Sequence, residues 1–330
     1  MTKTFKGVNL GGWLVLEKWV TPSVFRNSKA RNEFELSKNK QGRERIRQHH
    51  ETFITETDLV WLKDHGVEIL RVPIGYWIFG DDNRYVSAIK QLDWLVATSL
   101  SYGLKLLLDL HAAPEAQNAA AHSGSGNTNR EYYSTKWLNN LTAQEKTIEV
   151  LERLAVRYYD SPNVWGIEIL NEPIVDRFGL KLARFHRRAY ERLVKVARPG
   201  TYIVFSDAYT PLLTTNTFWL RTKKDFPVAM DCHIYQVFGT RNAKKTFNQH
   251  VKQTTLTGFF LKLLHLQQPI IVGEWSAMLP HRVPSSETKE YTKRQLYAFS
   301  AAKAQFYWNY KTEAAGRWNY RDMIEKGPLQ

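Results

Sequence analysis

The chain has 330 residues, one cysteine and a formal net charge of +14, with 43% hydrophobic and 24% charged residues. One cysteine excludes an intrachain disulfide framework, and no apolar run approaches the ~20 residues that cross a bilayer as a helix. Lysine and arginine are spread along the chain with local groupings at Arg221 to Lys224 and Arg241 to Lys245, and no recognised nucleic-acid motif accompanies them. Nucleic acid is therefore not expected as a partner, whereas a weak attraction to anionic surfaces is.

Met1 to Phe5 has no apolar leader and runs into a first strand, Phe5 to Asn9. With the lone Cys232, this points to a cytoplasmic protein, or a secreted one only if a leader had been removed. Residues 26 to 50, rich in Lys, Arg, Asn and Gln, read as the largest loop insertion. Thr55-Glu-Thr-Asp58 resembles a capping box, opening a helix that packs Leu59, Trp61 and Leu62 and closes at Gly66. Strands over Ile69 to Pro73 and Lys105 to Asp109 follow, the latter running into Asp109-Leu-His111. The Gly-rich Ser123-Gly-Ser-Gly-Asn127 follows a long loop instead of a strand, so it reads as a flexible loop over a barrel mouth and not as a phosphate cradle.

A β-branched run from Val164 to Leu170 stops abruptly on Asn171-Glu-Pro173. Next comes a helix with Leu182, Phe185, Ala189, Leu193 and Val196 on one side. Arg184, Arg187, Arg188, Arg192 and Lys195 form its solvated outer face, and Pro199-Gly200 ends it. Strands over Tyr202 to Ser206, Pro227 to Asp231, Ile270 to Gly273 and Gln305 to Trp308 complete the set, the seventh stopping on Glu274. Eight strands, most separated by helical stretches, imply a parallel (β/α)₈ barrel. At 330 residues it exceeds the ~250 typical of the fold through loop insertions, and one domain is expected over residues 1 to 330.

Two buried strands that each deliver a glutamate from the C-terminal end are how such a barrel presents a carboxylate pair. Asn171-Glu-Pro173 alone could be a turn, but Glu274, set between Gly273 and Trp275 directly after apolar residues, makes Glu172 its partner. Other chemistries lack their signatures. His49 and His50 point apart on a helix, and no H-E-x-x-H or cysteine pair occurs, so no metal is expected. His111 and His233 suit hydrogen bonding beside carboxylates better than ligation. No dinucleotide, Walker or G-x-S-x-G sequence occurs, so neither a nucleotide cofactor nor a serine nucleophile is expected.

An ordered set of motifs completes the reading: Gly7-Val-Asn-Leu-Gly-Gly-Trp-Leu14, Thr21-Pro-Ser23, Arg71-Val-Pro-Ile-Gly-Tyr-Trp77, Asp109-Leu-His-Ala-Ala-Pro114, Asn171-Glu-Pro173, His233-Ile-Tyr-Gln-Val-Phe238, Gly273-Glu-Trp-Ser276 and Trp308-Asn-Tyr-Lys-Thr-Glu313. Over nearly its whole length the chain resembles glycoside hydrolase family 5, and more closely its fungal-type exo-β-1,3-glucanase branch. The resemblance implies a cofactor-independent retaining glycosidase, with Glu172 as acid/base and Glu274 as nucleophile. Arg71 would keep Glu274 ionised while Glu172 keeps its proton. Asn171 would bind the sugar 2-hydroxyl, Tyr235 would donate to Glu274, and His233 would orient the acid/base or sugar. His111 and Glu17 would contact hydroxyls of the terminal glucose, and Trp308 would form its apolar floor.

The chain departs from that branch at His111 to Gly124, where Ala120 and Ala121 replace a loop aromatic and an aspartate, and at His233-Ile-Tyr235. Phe238 is then expected to wall the entrance without a partner across the gap. The expected substrate is a β-glucan oligosaccharide or small β-glucoside. The alternatives are a β-glucosidase for a glycolipid and, from another class, a barrel that binds glucan without cleaving it.

Overall fold

The computed structural model describes residues 3–118, 120–124, 136–211 and 222–329. Its strands are β1 (Phe5–Asn9), β2 (Ile69–Gly75), β3 (Lys105–Ala112), β4 (Val164–Glu168), β5 (Tyr202–Ser206), β6 (Val228–Ile234), β7 (Ile270–Trp275) and β8 (Ala304–Tyr307). All run parallel in sequence order, and β1 pairs with β8 to close the barrel. Every strand expected from the sequence is present. Four run beyond their expected ends, because the parallel pairing continues past the residues read as strand ends into the barrel mouth: β2 to Gly75, β3 to Ala112, β6 to Ile234 and β7 to Trp275. Glu274 thus lies within β7 and not after it.

Strand alternation builds the barrel interior in layers. Ile69, Leu107, Val204, Ala229, Ile271, Ala304 and Phe306 form a dry cluster at the N-terminal end. Residues two positions apart share a face, so Ile69 leads to Arg71, Leu107 to Asp109, Ala229 to Asp231 and Ile271 to Gly273. The next step leads from Asp109 to His111 and from Asp231 to His233, so both Asp-x-His motifs aim at the mouth. On β7 the register slips between the pairs Asp231–Ile271 and His233–Glu274. That irregularity turns Glu274 inward directly after inward-facing Gly273.

Residues 26–50 are built, not merely looped. A helical turn over Glu33–Leu36 and helix α1 (Lys40–Thr52) bury Leu36 and Ile46 with Leu16 and Phe25 in a satellite core. Helix α2 (Glu56–Asp64) carries the expected capping box, with Asp58 accepting from the Thr55 N–H at 2.9 Å. Asp58 also accepts from Tyr310 at 2.8 Å and Lys311 at 2.9 Å, tying α2 to the segment after β8. Around the barrel follow α3 (Ile89–Ser101), α4 (Leu141–Arg157), α5 (Leu180–Leu193), α6 (Phe247–Gln267) and α7 (Ser285–Phe299). The basic side of α5 is partly paired with α4: Arg188 and Arg192 reach Glu145 at 2.7 and 2.6 Å. Of the Gly-rich stretch, Ser125, Gly126 and Asn127 lie outside the described residues, as does Arg221.

Gly273 sits where the interior leaves no room: a Cβ there would fall 1.9 Å from Asp231 Oδ2, and the Gly273 N–H already donates to Asp231 Oδ1 at 2.6 Å. Gly273→Ala should therefore destabilise the barrel by about 1–3 kcal/mol, read as a lower midpoint in thermal unfolding. An unchanged midpoint would show that β7 and Asp231 can separate at little cost.

Candidate active site

Arg71, fully buried on β2, uses all five N–H donors of its guanidinium. Nε and Nη2 grip Glu168 at 2.8 and 3.0 Å, and Nη2 also donates to Asn171 Oδ1 at 2.8 Å. Nη1 donates to Asn9 at 3.0 Å and to Glu274 Oε1 at 3.1 Å. Asp109 lies 3.1 Å and Asp231 3.7 Å from the same cation. With one permanent positive charge among so many buried acids, not all ionise. Burial, with Asp231 adding repulsion, pushes Asp109 up to about 7 against the pull of Arg71, and burial raises Glu168 well above the carboxylate range.

Glu172 reaches the mouth through an uncommon backbone. Its φ is 42°, in the left-handed region that a side chain with a Cβ enters at a cost. The loop after β3 clamps it there: Gln117 Nε2 donates to the Asn171 carbonyl at 3.0 Å and Asn118 Nδ2 to the Glu172 carbonyl at 3.1 Å. Glu172 Oε1 lies 2.6 Å from His233 Nδ1, which is also 3.5 Å from Glu274 Oε2. Tyr235 donates to Glu274 Oε2 at 2.8 Å. Oxygens of both glutamates and a ring nitrogen of His233 lie within 4.8 Å of one another.

The proton distribution differs from the sequence-based expectation. Burial works against a charged His233, but the charges of Glu274 and Asp231 and its hydrogen bonds raise it well above the usual range. Burial would raise Glu172, yet the hydrogen bond and charge of His233 outweigh it and hold Glu172 below the carboxylate range. Glu274 is pushed up to about 7 by burial and the Glu172 charge, against His233, Arg71 and Tyr235. These directions favour a charged His233 beside an ionised Glu172, where the sequence-based expectation put the proton on Glu172. The His233 Nδ1–H points along a 2.6 Å hydrogen bond at Glu172 Oε1.

Glu172 and Glu274 face a cavity of about 980 Å³ lined also by Glu17, His111, Asn171, His233, Tyr235, Phe238 and Trp308. Of the ten expected site residues only Arg71 stands behind the wall, acting through Glu274 and Asn171. Asn171 Nδ2 has no hydrogen-bond partner among the described residues. His111 is held by Asp109 at 2.7 Å and stacks on Trp308, rings 5.7 Å apart and 8° from parallel. Glu17 accepts from the Trp19 indole at 2.8 Å, and burial pushes its carboxyl up to about 8.

Phe238, 61% exposed, lines this cavity beside aromatic residues that the sequence reading did not include. The Trp318 ring lies 6.2 Å from it, and Trp19 lies 5.5 Å from Trp318, so a continuous aromatic wall lines the cavity. Trp318 and Trp19 went unread because neither sits at a strand end. His122, from the loop that departs from the exo-β-1,3-glucanase branch, was also missed. Its Nε2 lies 3.4 Å from Glu172 Oε2 and 2.9 Å from Asn118 Nδ2. Burial draws it down to about 4, so it stands as a neutral imidazole near neutral pH. Glu172, His233 and Glu274, or Glu168, Asp231 and His233, offer ligand-type atoms to a cation. Arg71, 3.1 Å from Glu274 and 2.8 Å from Glu168, opposes one by repulsion.

Tyr235 acts on Glu274 without the many other contacts of Arg71, so it isolates the electrostatics. Its hydrogen bond favours the ionised carboxylate of Glu274, and Tyr235→Phe should move the acidic limb of the kcat/KM profile to higher pH. The rate below neutral pH should fall by roughly tenfold. An unmoved limb would show that Glu274 does not set it.

The family model of cellulase, glycosyl hydrolase family 5, matches residues 29–314. The probable glucan 1,3-β-glucosidase A of Aspergillus niger is 30% identical over 97% of this chain and 85% of its own length. The glucan 1,3-β-glucosidase of Kluyveromyces lactis is 29% identical over 98% and 87%. Among solved structures, rutinosidase from Aspergillus niger superposes with a TM-score of 0.83 at 19% identity, covering 100% of this chain and 98% of that one, a likeness of fold. With a catalytic-type carboxylate pair at the mouth of a closed eight-stranded barrel, the chain belongs to glycosyl hydrolase family 5.

Proposed function

We propose that this protein is a retaining β-glucosidase of the exo-β-1,3-glucanase type, releasing terminal β-linked glucose with Glu274 as nucleophile and Glu172 as acid/base. The observation that carries the reading is the approach of the two carboxylates, oxygens within 4.8 Å across one cavity. Retaining glycosidases hold their carboxyl groups ~5–5.5 Å apart, whereas inverting ones need ~6.5–9.5 Å to admit a water between them. The names of the Aspergillus and Kluyveromyces relatives support a β-1,3-glucan as substrate.

Glu274 attacks the anomeric carbon as the glycosidic C–O bond breaks, and the leaving oxygen takes a proton from Glu172. That proton arrives along the hydrogen bond from His233 Nδ1, leaving the imidazole neutral and the total charge of the trio unchanged. Water then cleaves the glycosyl ester, giving its proton to Glu172, and Glu274 is regenerated. Arg71 and Tyr235 stabilise the departing carboxylate at 3.1 and 2.8 Å. The unpartnered Nδ2 of Asn171 is free to donate to the sugar 2-hydroxyl, a contact that strengthens in the transition state. Neutral Glu17 can both donate to and accept from sugar hydroxyls, and Trp308 offers the sugar an apolar face. The leaving sugar rests against Phe238 and Trp318.

NMR of fresh hydrolysate from an aryl β-glucoside, whose only sugar product is the transferred glucose, should show β-glucose before mutarotation. Glu172→Ala should slow laminaribiose hydrolysis by about 10²–10⁴-fold while largely sparing an aryl glucoside whose leaving group needs no proton. Initial α-glucose, or equal losses on both substrates, would overturn the assignment.

A further inference from the structure

Helix α6 is apolar on two sides. One side packs into the fold through Leu261 and Leu264, and Gly258 crosses α7 so closely that a Cβ would lie 2.9 Å from Ala298. The other side presents Leu256, Phe259, Leu263 and Leu266, which are 60%, 64%, 44% and 83% exposed. Their spacing of three, four and three residues aligns them in one stripe along the helix. Tyr297 of α7, 70% exposed, extends the stripe sideways, with the Lys262 ammonium 5.2 Å from its ring. Single exposed apolar residues are ordinary, but an aligned ridge of five marks a surface that meets something other than water.

Charge selects what it meets. From Cys232 to Gly273 there is no aspartate or glutamate, while Arg241, Lys244, Lys245, Lys252 and Lys262 all fall within that stretch. Lys252 precedes Leu256 by one helical turn, and Lys293 precedes Tyr297 by one turn on α7. The acids of α7, Glu287 and Glu290, lie in its first half, and Glu290 is 3.5 Å from Arg294. A second copy of the chain would bring this basic zone against itself, a like-charge contact that disfavours self-association. An anionic bilayer satisfies both features, since the ridge enters the acyl boundary while lysines meet the headgroups.

We propose that the outer face of α6, with Tyr297, docks this protein peripherally onto an anionic lipid surface. No helix among the described residues is long and apolar enough to cross a membrane, so the contact is interfacial. The inference is independent of the glycosidase reading, because none of these residues lines the cavity.

Co-sedimentation of the full chain with phosphatidylcholine vesicles, with and without phosphatidylserine, tests it. Binding should require phosphatidylserine and weaken with added salt. Phe259→Ser with Leu266→Ser should lower the bound fraction at least about tenfold while leaving aryl-glucoside turnover unchanged. Lys252→Glu with Lys262→Glu should reduce the dependence on phosphatidylserine. Binding indifferent to lipid charge, binding undiminished by the serine substitutions, or a native dimer that Phe259→Ser converts to monomer would each overturn the proposal, the last by making the face a self-interface.

Discussion

The buried guanidinium of Arg71 is the constraint on which the site depends. Removing a charge from water is costly, and a buried arginine persists only when its donors are filled and its charge is matched. Here every N–H has an acceptor on another strand or loop: Asn9 from β1, Glu168 from β4, Asn171 beyond β4 and Glu274 from β7. The cation therefore fixes the geometry of the barrel mouth as well as its potential. Removing one partner of such a cluster typically costs about 3–5 kcal/mol, so substitutions of Arg71 mix stability with chemistry.

The excess of acid over base around Arg71 governs how protons are held. Asp109 orients His111 and Asp231 faces His233, each through an Asp-x-His pair on one interior face. His233 is thereby charged and stands between the two glutamates. In the proposed mechanism the acid is a property shared by Glu172 and His233, and a further proton on the trio, taken up by Glu274, would remove the proposed nucleophile.

The fold and the carboxylate pair were legible because they are local. Strand ends announce themselves through β-branched runs, and a glutamate at the end of such a run has few structural explanations. Asp109-Leu-His111 and Asp231-Cys-His233 were visible as motifs, but their meaning needs the period-two alternation to be placed in a closed barrel. What stayed hidden depends on long-range placement. Trp19 and Trp318 lie about 300 positions apart in the chain, yet their rings are 5.5 Å apart. The left-handed backbone of Glu172, the bulge that turns Glu274 inward, and the approach of His122 to Glu172 arise from packing between segments that no local pattern links. The protonated state of His233 was hidden for the same reason, since it is set by acids on β6 and β7 and beyond β4.

The central claim is that Glu274 forms a covalent bond to the anomeric carbon, and a slow substrate tests it most directly. A 2-deoxy-2-fluoro-β-glucoside with a good leaving group should inactivate the enzyme and leave a fluoroglucosyl ester on Glu274, located by mass spectrometry of proteolytic peptides. The adduct should turn over when an acceptor sugar is added. A label on any other residue, or hydrolysis with no covalent species on Glu274, would contradict the account.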